Sequence, residues 1–592
     1  MTAADVVTPT AVQRPTDAQR PTERLRQAQP LARAASQALD PVDMGASRHT
    51  RHSFARSFLR VAAAQRWTVS RETWDIDARG RGEAVYRVDA DGHVLRFVAF
   101  STILSEEQRT DRVVAEAWDV TGALVEGPWD EGRRAALRAQ VPRQEEGRAD
   151  AATLVWTRAN RSQRFFDYVV DRLAEGLQPD PDAMGDAAYV LRSTAFYSNG
   201  KFGLADFDGL AAGHPLRLPY RAQMLTAWLL RELSYDLVEH CAAAKSCRAV
   251  QLAGDWRCFL GLGNATGLGM VPYVINHPQV LDAWCAVREL PLAYALHRPT
   301  LPQDVRTARV RDLLDRAREY YRERDTLVTA PYLSGSRLAG QLDEVAELLA
   351  EYIASGSVSG EPTDRAWHAL HTSAEAIGLE ARGVLDAVLV EVYDELDSDI
   401  EALLHCDQAL HVAPAQTCGA LRTAALDRYG WVRRFDFADP EQQAYFWFSS
   451  ENNEEPRRGR RGIDPGEHVE HPIDIARSVS ALLDDLEAVQ DDDQLVADFL
   501  LAHPWHRGAV ARIQSLAGLP YAEVRANLLG RDFLPLHVQR FQLALYGMDN
   551  YSPQSTDWLR VTLFCGAPRA SDIAAGTDHD WIFARKPRKD AR

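Results

Sequence analysis

Residues 83–100 read EAVYRVDADGHVLRFVAF. Apolar and polar side chains alternate on both sides of Asp89-Ala90-Asp91-Gly92, whose composition is typical of a tight turn. Such alternation is typical of strands with one buried face, so this stretch predicts a β-hairpin. A third strand over residues 112–120 would complete a small antiparallel sheet near residues 72–125.

Most of the remaining chain has helical periodicity, with apolar side chains three or four positions apart. A helix is predicted over residues 53–65, and a longer one over residues 219–244 has proline near its first turn. Further amphipathic helices are predicted over residues 161–176, 305–324, 338–354, 364–376 and 383–405. The sequence therefore predicts a mainly α protein, in which a helical body is joined to a small N-terminal antiparallel β-hairpin sheet.

Changes in composition divide the 592 residues into four parts. Residues 1–48 are rich in Pro, Ala, Thr, Gln and Arg and are predicted to be a disordered basic arm. Residues 49–150 are expected to form the small α+β domain with the hairpin sheet. Residues 151–575 are expected to form the helical body with pocket-forming loops, and residues 576–592 a C-terminal tail.

The overall composition disfavours membrane, secreted and nucleic-acid-binding proteins. No run of 18 apolar residues and no apolar leader is present, so we expect no membrane association and no secretory export. The seven cysteines form no CxxC pair, which favours reduced thiols in the cytoplasm. The formal net charge of −17 disfavours a nucleic-acid partner. Nothing in the sequence indicates an oligomeric state.

Lysine is scarce in this chain, because Lys and Arg together number 67 and only four are lysines. A lysine differs from an arginine in its tunable pKa and its nucleophilic nitrogen. Lys201 lies four residues after Tyr197 in a loop-like segment, so the pair could share a proton in acid–base catalysis, or Lys201 could form a Schiff base or anchor an anion. Three neighbours are candidates for substrate binding: Arg192, Ser198 and Asn199.

A second glycine-rich segment covers residues 254–278. Its stretch Gly263-Asn264-Ala265-Thr266-Gly267-Leu268-Gly269 lacks the flanking strand and helix that a dinucleotide site requires, so we expect a close crossing of two helices instead. Asn264 is a candidate for substrate binding. Asn276 and His277 precede Pro278 at a predicted helix start, where they could cap the helix or bind an anion.

Residues 445–461 and 546–572 are two further segments that combine aromatic and polar residues, and long irregular segments of this kind are often functional. In residues 445–461, Glu451 after an aromatic strip is a second catalytic candidate, although a solvated salt-bridge cluster is the alternative. Residues 468–471, His-Val-Glu-His, fit no common zinc spacing, so no metal is predicted. Candidates for substrate binding in these two segments are Asn452, Asn453, Arg457, Arg458, Asp549, Asn550 and Tyr551.

Together these features predict an enzyme for a small, polar and anionic molecule. It would be a lyase, isomerase or hydrolase that uses acid–base or lysine chemistry without an organic cofactor, and the four segments would share one pocket. One alternative is a non-catalytic ligand-binding or regulatory protein. Another is a helix-turn-helix-like DNA contact over residues 508–530, with Tyr521, Arg525 and Asn527 facing the bases.

Overall fold

The computed structural model describes residues 32–588 with several gaps. The gaps are 104, 106–118, 142–151, 187, 199–209, 212, 267–270, 272–273, 275–276, 325–326, 330–332, 405–408, 440–446, 450–456, 459–470, 473–474 and 524–533.

A single mixed sheet of nine strands organises the described part of the chain. The strands are β1 Thr68–Ile76, β2 Gly82–Ala90, β3 His93–Thr102, β4 Asp119–Glu126, β5 Thr153–Arg161, β6 Tyr189–Ser198, β7 Gly261–Thr266, β8 Met548–Pro553 and β9 Leu559–Leu563. Their order in the sheet is β1-β2-β3-β4-β5-β6-β7-β9-β8. Strands β6 and β7 are parallel, and the other neighbouring pairs of this sheet are antiparallel.

The prediction of a mainly α protein with a small N-terminal hairpin sheet is therefore wrong. Helices account for 52% of the structure, but the sheet runs through much of the chain and takes strands from both ends. The sequence pattern missed β1 and β5 to β9 because only the β2–β3 hairpin shows clear alternation beside a recognisable turn. The third strand predicted over residues 112–120 overlaps β4 at residues 119–120, and residues 112–118 lie outside the described residues.

The helices in the described part of the chain cover the sheet and extend beyond it. They are α1 Ala35–Ala38, α2 Pro41–Gly45, α3 Phe54–Ala64, α4 Glu131–Gln140, α5 Phe166–Ala174, α6 Pro181–Met184, α7 Arg221–Lys245, α8 Gly254–Phe259, α9 Pro278–Leu296, α10 Val305–Arg322, α11 Gly335–Ser355, α12 Ala366–Ile377, α13 Leu379–Val392, α14 Asp397–Leu403, α15 Cys418–Tyr429, α16 Ala476–Glu487, α17 Val496–Ala502, α18 Arg507–Leu516, α19 Pro535–Tyr546 and α20 Ala570–Ala575. Short two- and three-residue strands pair locally outside the main sheet.

The predicted hairpin is confirmed by the pairing of β2 with β3. Ala90 pairs with His93, which leaves Asp91 and Gly92 as a two-residue loop. Both loop residues have positive φ, 46° and 82°, as a type I′ turn requires. Such a turn matches the twist of the flanking strands, so the Asp-Gly pair fixes the register of this part of the sheet.

Strand β7 lies inside the sheet although its sequence, Gly-Leu-Gly-Asn-Ala-Thr, has little β propensity. A Cβ atom on Gly261 would lie 2.4 Å from the carbonyl oxygen of Leu563, and one on Gly263 would lie 2.6 Å from the ring of Tyr189. Both glycines are therefore required by close packing within the sheet. The helix crossing expected here is replaced by a strand.

The two faces of the sheet are covered differently. Helix α7 packs against β4, β5, β6 and β7, and α3 and α5 pack on α7 to form the largest core. On the opposite face, Leu137 of α4 packs with Val85, Val98 and Trp156. Burial on both faces explains why several of these strands lack a simple alternation of apolar and polar residues.

Two further cores are helical. The end of α9 and helices α10 to α13 form one of them, which also buries Ile582 and Phe583 of the segment predicted as a tail. Helices α15 to α18 form the other. Residues 32–48, at the end of the predicted arm, contain α1, α2 and the buried side chains of Arg33 and Arg48.

Within the described ranges, none of the helices combines the length and the apolar character needed to cross a membrane.

The guanidinium group of Arg231 in α7 is fully buried and is held by backbone carbonyl groups. Its nitrogens donate to the carbonyl oxygens of Leu260 at 2.9 Å, Pro568 at 3.1 Å and Ala567 at 2.8 Å. The carbonyl oxygens of Arg257 and Cys258 accept two further hydrogen bonds. The side chain thus joins α7 to the segment before β7 and to the segment after β9.

We expect Arg231→Lys to lower the free energy of unfolding by about 3 kcal/mol or more. An ammonium group has three donors and no planar fork, so it would leave some of the five carbonyl oxygens without a hydrogen bond. Urea denaturation followed by circular dichroism measures the change. Arg311→Lys, on an exposed side chain of α10, is the matched control. Equal unfolding midpoints for the two variants would contradict the role given to Arg231.

Candidate functional site

The parallel pairing of β6 with β7 brings the carboxyl ends of these strands to one end of the sheet. Strand β6 ends at Ser198 and β7 ends at Thr266. Strand β4 is antiparallel to β5, which is antiparallel to β6, so β4 also ends here, at Glu126. We call this region the carboxyl end of the sheet. In open, mostly parallel α/β sheets, ligands bind outside the carboxyl ends of the strands, and the parallel pair β6–β7 is the part of this mixed sheet that shares this geometry.

Three side chains that can exchange or bind protons meet at the carboxyl end of the sheet. Glu126 lies between two imidazoles: Nδ1 of His93 is 2.9 Å from Oε1, and Nε2 of His214 is 3.1 Å from Oε2. The two imidazole rings are 4.3 Å apart in an edge-to-face arrangement. His214 is buried, whereas the side chain of His93 is 35% exposed and can reach solvent.

The hydrogen bonds define which ring nitrogens carry protons. Burial alone would raise the pKa of Glu126, but hydrogen bonds from His93 and His214 lower that pKa below its usual value. The ionised carboxylate only accepts, so Nδ1 of His93 is the donor. Neutral His93 therefore has a lone pair on Nε2, which is the arrangement of a general base oriented by a carboxylate.

His214 differs from His93 in what its second nitrogen contacts. The backbone N–H of Leu216 donates to Nδ1 of His214 at 3.0 Å. Nε2 must then carry the proton that it donates to Glu126, so it has no lone pair for a metal ion while this bond is intact. The donor set of His93, Glu126 and His214 resembles a metal site in composition, but its hydrogen bonds favour proton chemistry.

The first predicted segment, residues 192–208, begins within β6, so its residues 192–198 form a strand and not the loop that the sequence predicted. Tyr197 and Ser198 are the last residues of β6, where their backbones pair with Trp156 and Val155. Asn199 and Lys201 lie outside the described residues. Ser198 precedes these residues in the chain and His214 follows them. Ser198 ends β6, and His214 contacts Glu126, so both lie at the carboxyl end of the sheet.

Arg192 and Asn264 lie on adjacent strands but on opposite faces of the sheet. Arg192 pairs with Gly263 in parallel register, so the next residue of β7, Asn264, points to the other face. His277 occupies the position before α9, with Pro278 as the first residue of that helix, as the sequence predicts. Its side chain makes no capping hydrogen bond, and Asn276 lies outside the described residues.

The third segment contributes little to the described structure. Glu451, Asn452 and Asn453 lie outside the described residues. The backbones of Arg457 and Arg458 pair with those of Phe448 and Trp447 in a short strand. Their relation to Lys201 therefore stays a prediction.

The fourth segment places its candidate residues at the other end of the sheet. Asp549 and Asn550 begin β8, whereas the tip of the β8–β9 hairpin, residues 554–558, lies at the carboxyl end beside Thr266. Asp549 accepts two hydrogen bonds from Arg48, at 3.0 and 2.9 Å, and one from Tyr320 at 2.6 Å.

These contacts make Asp549 part of a buried ion pair. Burial alone would raise the pKa of Asp549, but the charge of Arg48 holds that pKa well below its usual range. The hydroxyl oxygen of Tyr320 also lies 2.9 Å from Oδ1 of Asn550, whose φ is 53°, and Tyr551 is buried as well. The ion pair thereby attaches the segment that contains Arg48 to β8.

The helix-turn-helix alternative depends on Tyr521 facing a DNA groove. Tyr521 is buried, and its backbone N–H donates to Asp282 at 3.0 Å. The side chain therefore cannot contact a base in this conformation. Arg525 and Asn527 lie outside the described residues.

Reasoning from sequence missed His93, Glu126 and His214. Glu126 is 33 residues from His93 and 88 from His214, and no motif connects them. One weak signal exists, because His93 directly follows the Asp-Gly turn and is thereby placed at a strand end. The other two positions depend on the register of β3 with β4 and on the path of the chain before α7.

We expect Glu126→Gln to lower the melting temperature at pH 7, because its charge strengthens two hydrogen bonds. A carboxyl whose pKa is lowered by folding stabilises the protein above its unfolded pKa of about 4.3, and this contribution is lost as the pH falls through the folded pKa. The difference from the wild type should therefore shrink below about pH 4. Thermal unfolding at pH 7, 5 and 4 tests this, with Glu344→Gln on the exposed face of α11 as control. A difference independent of pH would contradict the assigned charge.

Compared with known protein families, with curated proteins and with solved structures, the chain matches none.

Proposed function

We propose that this protein is an enzyme that acts on a small, polar and anionic molecule by acid–base catalysis at the carboxyl end of the sheet. The observation that supports this function is the position of Glu126 between His93 and His214, where β4, β6 and β7 end. A half-exposed imidazole with a carboxylate on its Nδ1 is a common general base.

In the proposed mechanism, Nε2 of His93 takes a proton from the substrate. Glu126 fixes the tautomer of His93 and stabilises the imidazolium that forms. His214 holds the carboxylate from the other side, at 3.1 Å, and so limits its rotation. The proton then returns to the substrate or passes to the leaving group, which is the chemistry of isomerases, lyases and hydrolases. No organic cofactor takes part in this proposal.

Lys201 supplies the positive charge in this proposal. It follows Ser198 by three residues, so its backbone lies within about 11 Å of the end of β6. Ser198 and Glu126 are separated by two strands and two residues, which is about 12 Å. We therefore propose that Lys201 contacts a small molecule bound beside His93. It would bind an anionic group or form an imine, with Tyr197 as its partner in proton transfer.

The cytoplasm is the proposed location. The six cysteines in the described part of the chain are free thiols, as a reducing compartment favours. The proposed partner is the small-molecule substrate.

We expect His93→Asn to lower the rate of turnover by roughly 10²- to 10⁴-fold, which is the usual contribution of a general base. The wild type and the variant are incubated with a metabolite extract in D₂O, and mass spectrometry records metabolites that change in mass or abundance. His368→Asn, on the exposed surface of α12, is the matched control and should behave as the wild type.

Turnover at the wild-type rate by His93→Asn would exclude His93 as the base. If the wild type changes no metabolite but one is retained on the protein, the chain is a ligand-binding protein and the enzymatic proposal fails.

Reduction with borohydride distinguishes the two roles proposed for Lys201, imine formation and binding of an anionic group. If Lys201 forms an imine with a carbonyl substrate, reduction in the presence of the extract should attach a metabolite to this residue. Peptide mass spectrometry locates the adduct, and Lys201→Met should remove it. Lys245, which pairs with Asp171 on the surface, serves as the internal control. If no adduct forms, while Lys201→Met still weakens binding of the anionic substrate, Lys201 acts through its charge.

A further inference from the structure

We propose that Asp485, His503 and His506 form a binding site for a divalent transition metal ion. This trio lies in the helical core of α15 to α18 and is independent of the sheet. Asp485 is on α16, His503 precedes the 3₁₀ turn Pro504–His506 that connects α17 to α18, and His506 ends this turn.

The three donor atoms converge on one point. One ligand atom from each residue lies within 4.8 Å of the other two. Oδ2 of Asp485 is 3.2 Å from Nδ1 of His503 and 2.7 Å from Nε2 of His506. Two ligands at about 2.1 Å from a tetrahedral Zn²⁺ would lie about 3.4 Å apart, so small side-chain rotations would accommodate the ion.

Local structure holds the two imidazoles on the same side of the chain. The backbone N–H of His506 donates to the carbonyl oxygen of His503, which closes a 3₁₀ turn. Side chains three residues apart eclipse each other in this geometry. Phe499 stacks on both rings, at 4.7 Å from His503 and 5.9 Å from His506, so the rings are oriented before any ion binds.

Without an ion, the polar atoms of this trio are poorly satisfied. Nδ1 of His503 is buried and lies 3.2 Å from Oδ2 of Asp485, but the two atoms make no hydrogen bond. The indole N–H of Trp505 donates to Nε2 of His506 at 3.1 Å, while Asp485 contacts the same nitrogen. One ring nitrogen cannot accept from the indole and donate to the carboxylate at once. A cation bound to Nε2 and the carboxylate would replace the proton between them, and the indole N–H, which also makes a hydrogen bond with Asp485, would then donate to the carboxylate.

The donor set indicates the class of ion. Two imidazoles and one carboxylate suit Zn²⁺ and its neighbours, such as Fe²⁺, Co²⁺ and Ni²⁺, better than Mg²⁺ or Ca²⁺, which prefer oxygen ligands. The side chains of His503 and Asp485 are 30% and 37% exposed, whereas that of His506 is 3% exposed. One side of the ion would therefore face solvent, where further ligands can bind.

The test uses the full chain without a histidine tag, freed of metal by a chelator, and Zn²⁺ as the probe. Isothermal titration calorimetry should detect one Zn²⁺ that Asp485→Asn and His503→Asn each bind at least roughly 100-fold more weakly. Loss of an outer partner of a ligand already lowers affinity 10- to 100-fold, so loss of a ligand should cost more. Both side chains are partly exposed, so the variants should fold, which circular dichroism verifies.

Two control variants locate the ion. His368→Asn removes an exposed histidine on α12, and His93→Asn removes the accessible histidine at the carboxyl end of the sheet; both should bind Zn²⁺ as the wild type does. The proposal is overturned if the wild type binds no Zn²⁺, or if Asp485→Asn and His503→Asn bind it as tightly as the wild type. It is also overturned if His93→Asn alone loses binding.

Discussion

The buried guanidinium of Arg231 donates to five carbonyl oxygens that come from two segments more than 300 residues apart in sequence. A buried charge that loses its hydrogen bonds is strongly destabilising. Helix α7 can therefore pack on the sheet only when the segment before β7 and the segment after β9 are both in place. This requirement couples the N-terminal strands, which α7 covers, to the C-terminal hairpin that completes the sheet.

The two ends of the sheet differ in how they enclose a carboxylate. At the end where β8 begins, Asp549 is enclosed by Arg48 and Tyr320, and its charge stabilises the fold. At the carboxyl end, Glu126 also accepts from two side chains, but one of them, His93, is partly exposed. An ionised carboxylate buried among its partners stabilises structure, whereas one that orients an accessible imidazole can support catalysis.

The sequence predicted those elements whose structure depends on residues close to one another in the chain. The β2–β3 hairpin and α3 were predicted because alternation, the Asp-Gly turn and helical spacing are local. Strand β7 was missed because Gly-Leu-Gly-Asn-Ala-Thr has little strand character, and it pairs with strands far away in sequence. The His93–Glu126–His214 trio was missed for the same reason. His503 and His506, by contrast, form a visible i, i+3 pair whose partner, Asp485, only the packing of α16 reveals.

The described part of the chain contains two trios of two histidines and one carboxylate, and composition alone does not distinguish their chemistry. The difference lies in the hydrogen bonds of the imidazoles. In the sheet, Leu216 donates to Nδ1 of His214, so the opposite nitrogen must carry a proton and can only donate to Glu126. At the second trio, Nδ1 of His503 lies 3.2 Å from Oδ2 of Asp485 without a hydrogen bond between them, so an ion can take the place of a proton there. The backbone N–H that fixes the tautomer of His214 therefore favours proton transfer at the first trio, and the unmade hydrogen bond of His503 favours metal binding at the second.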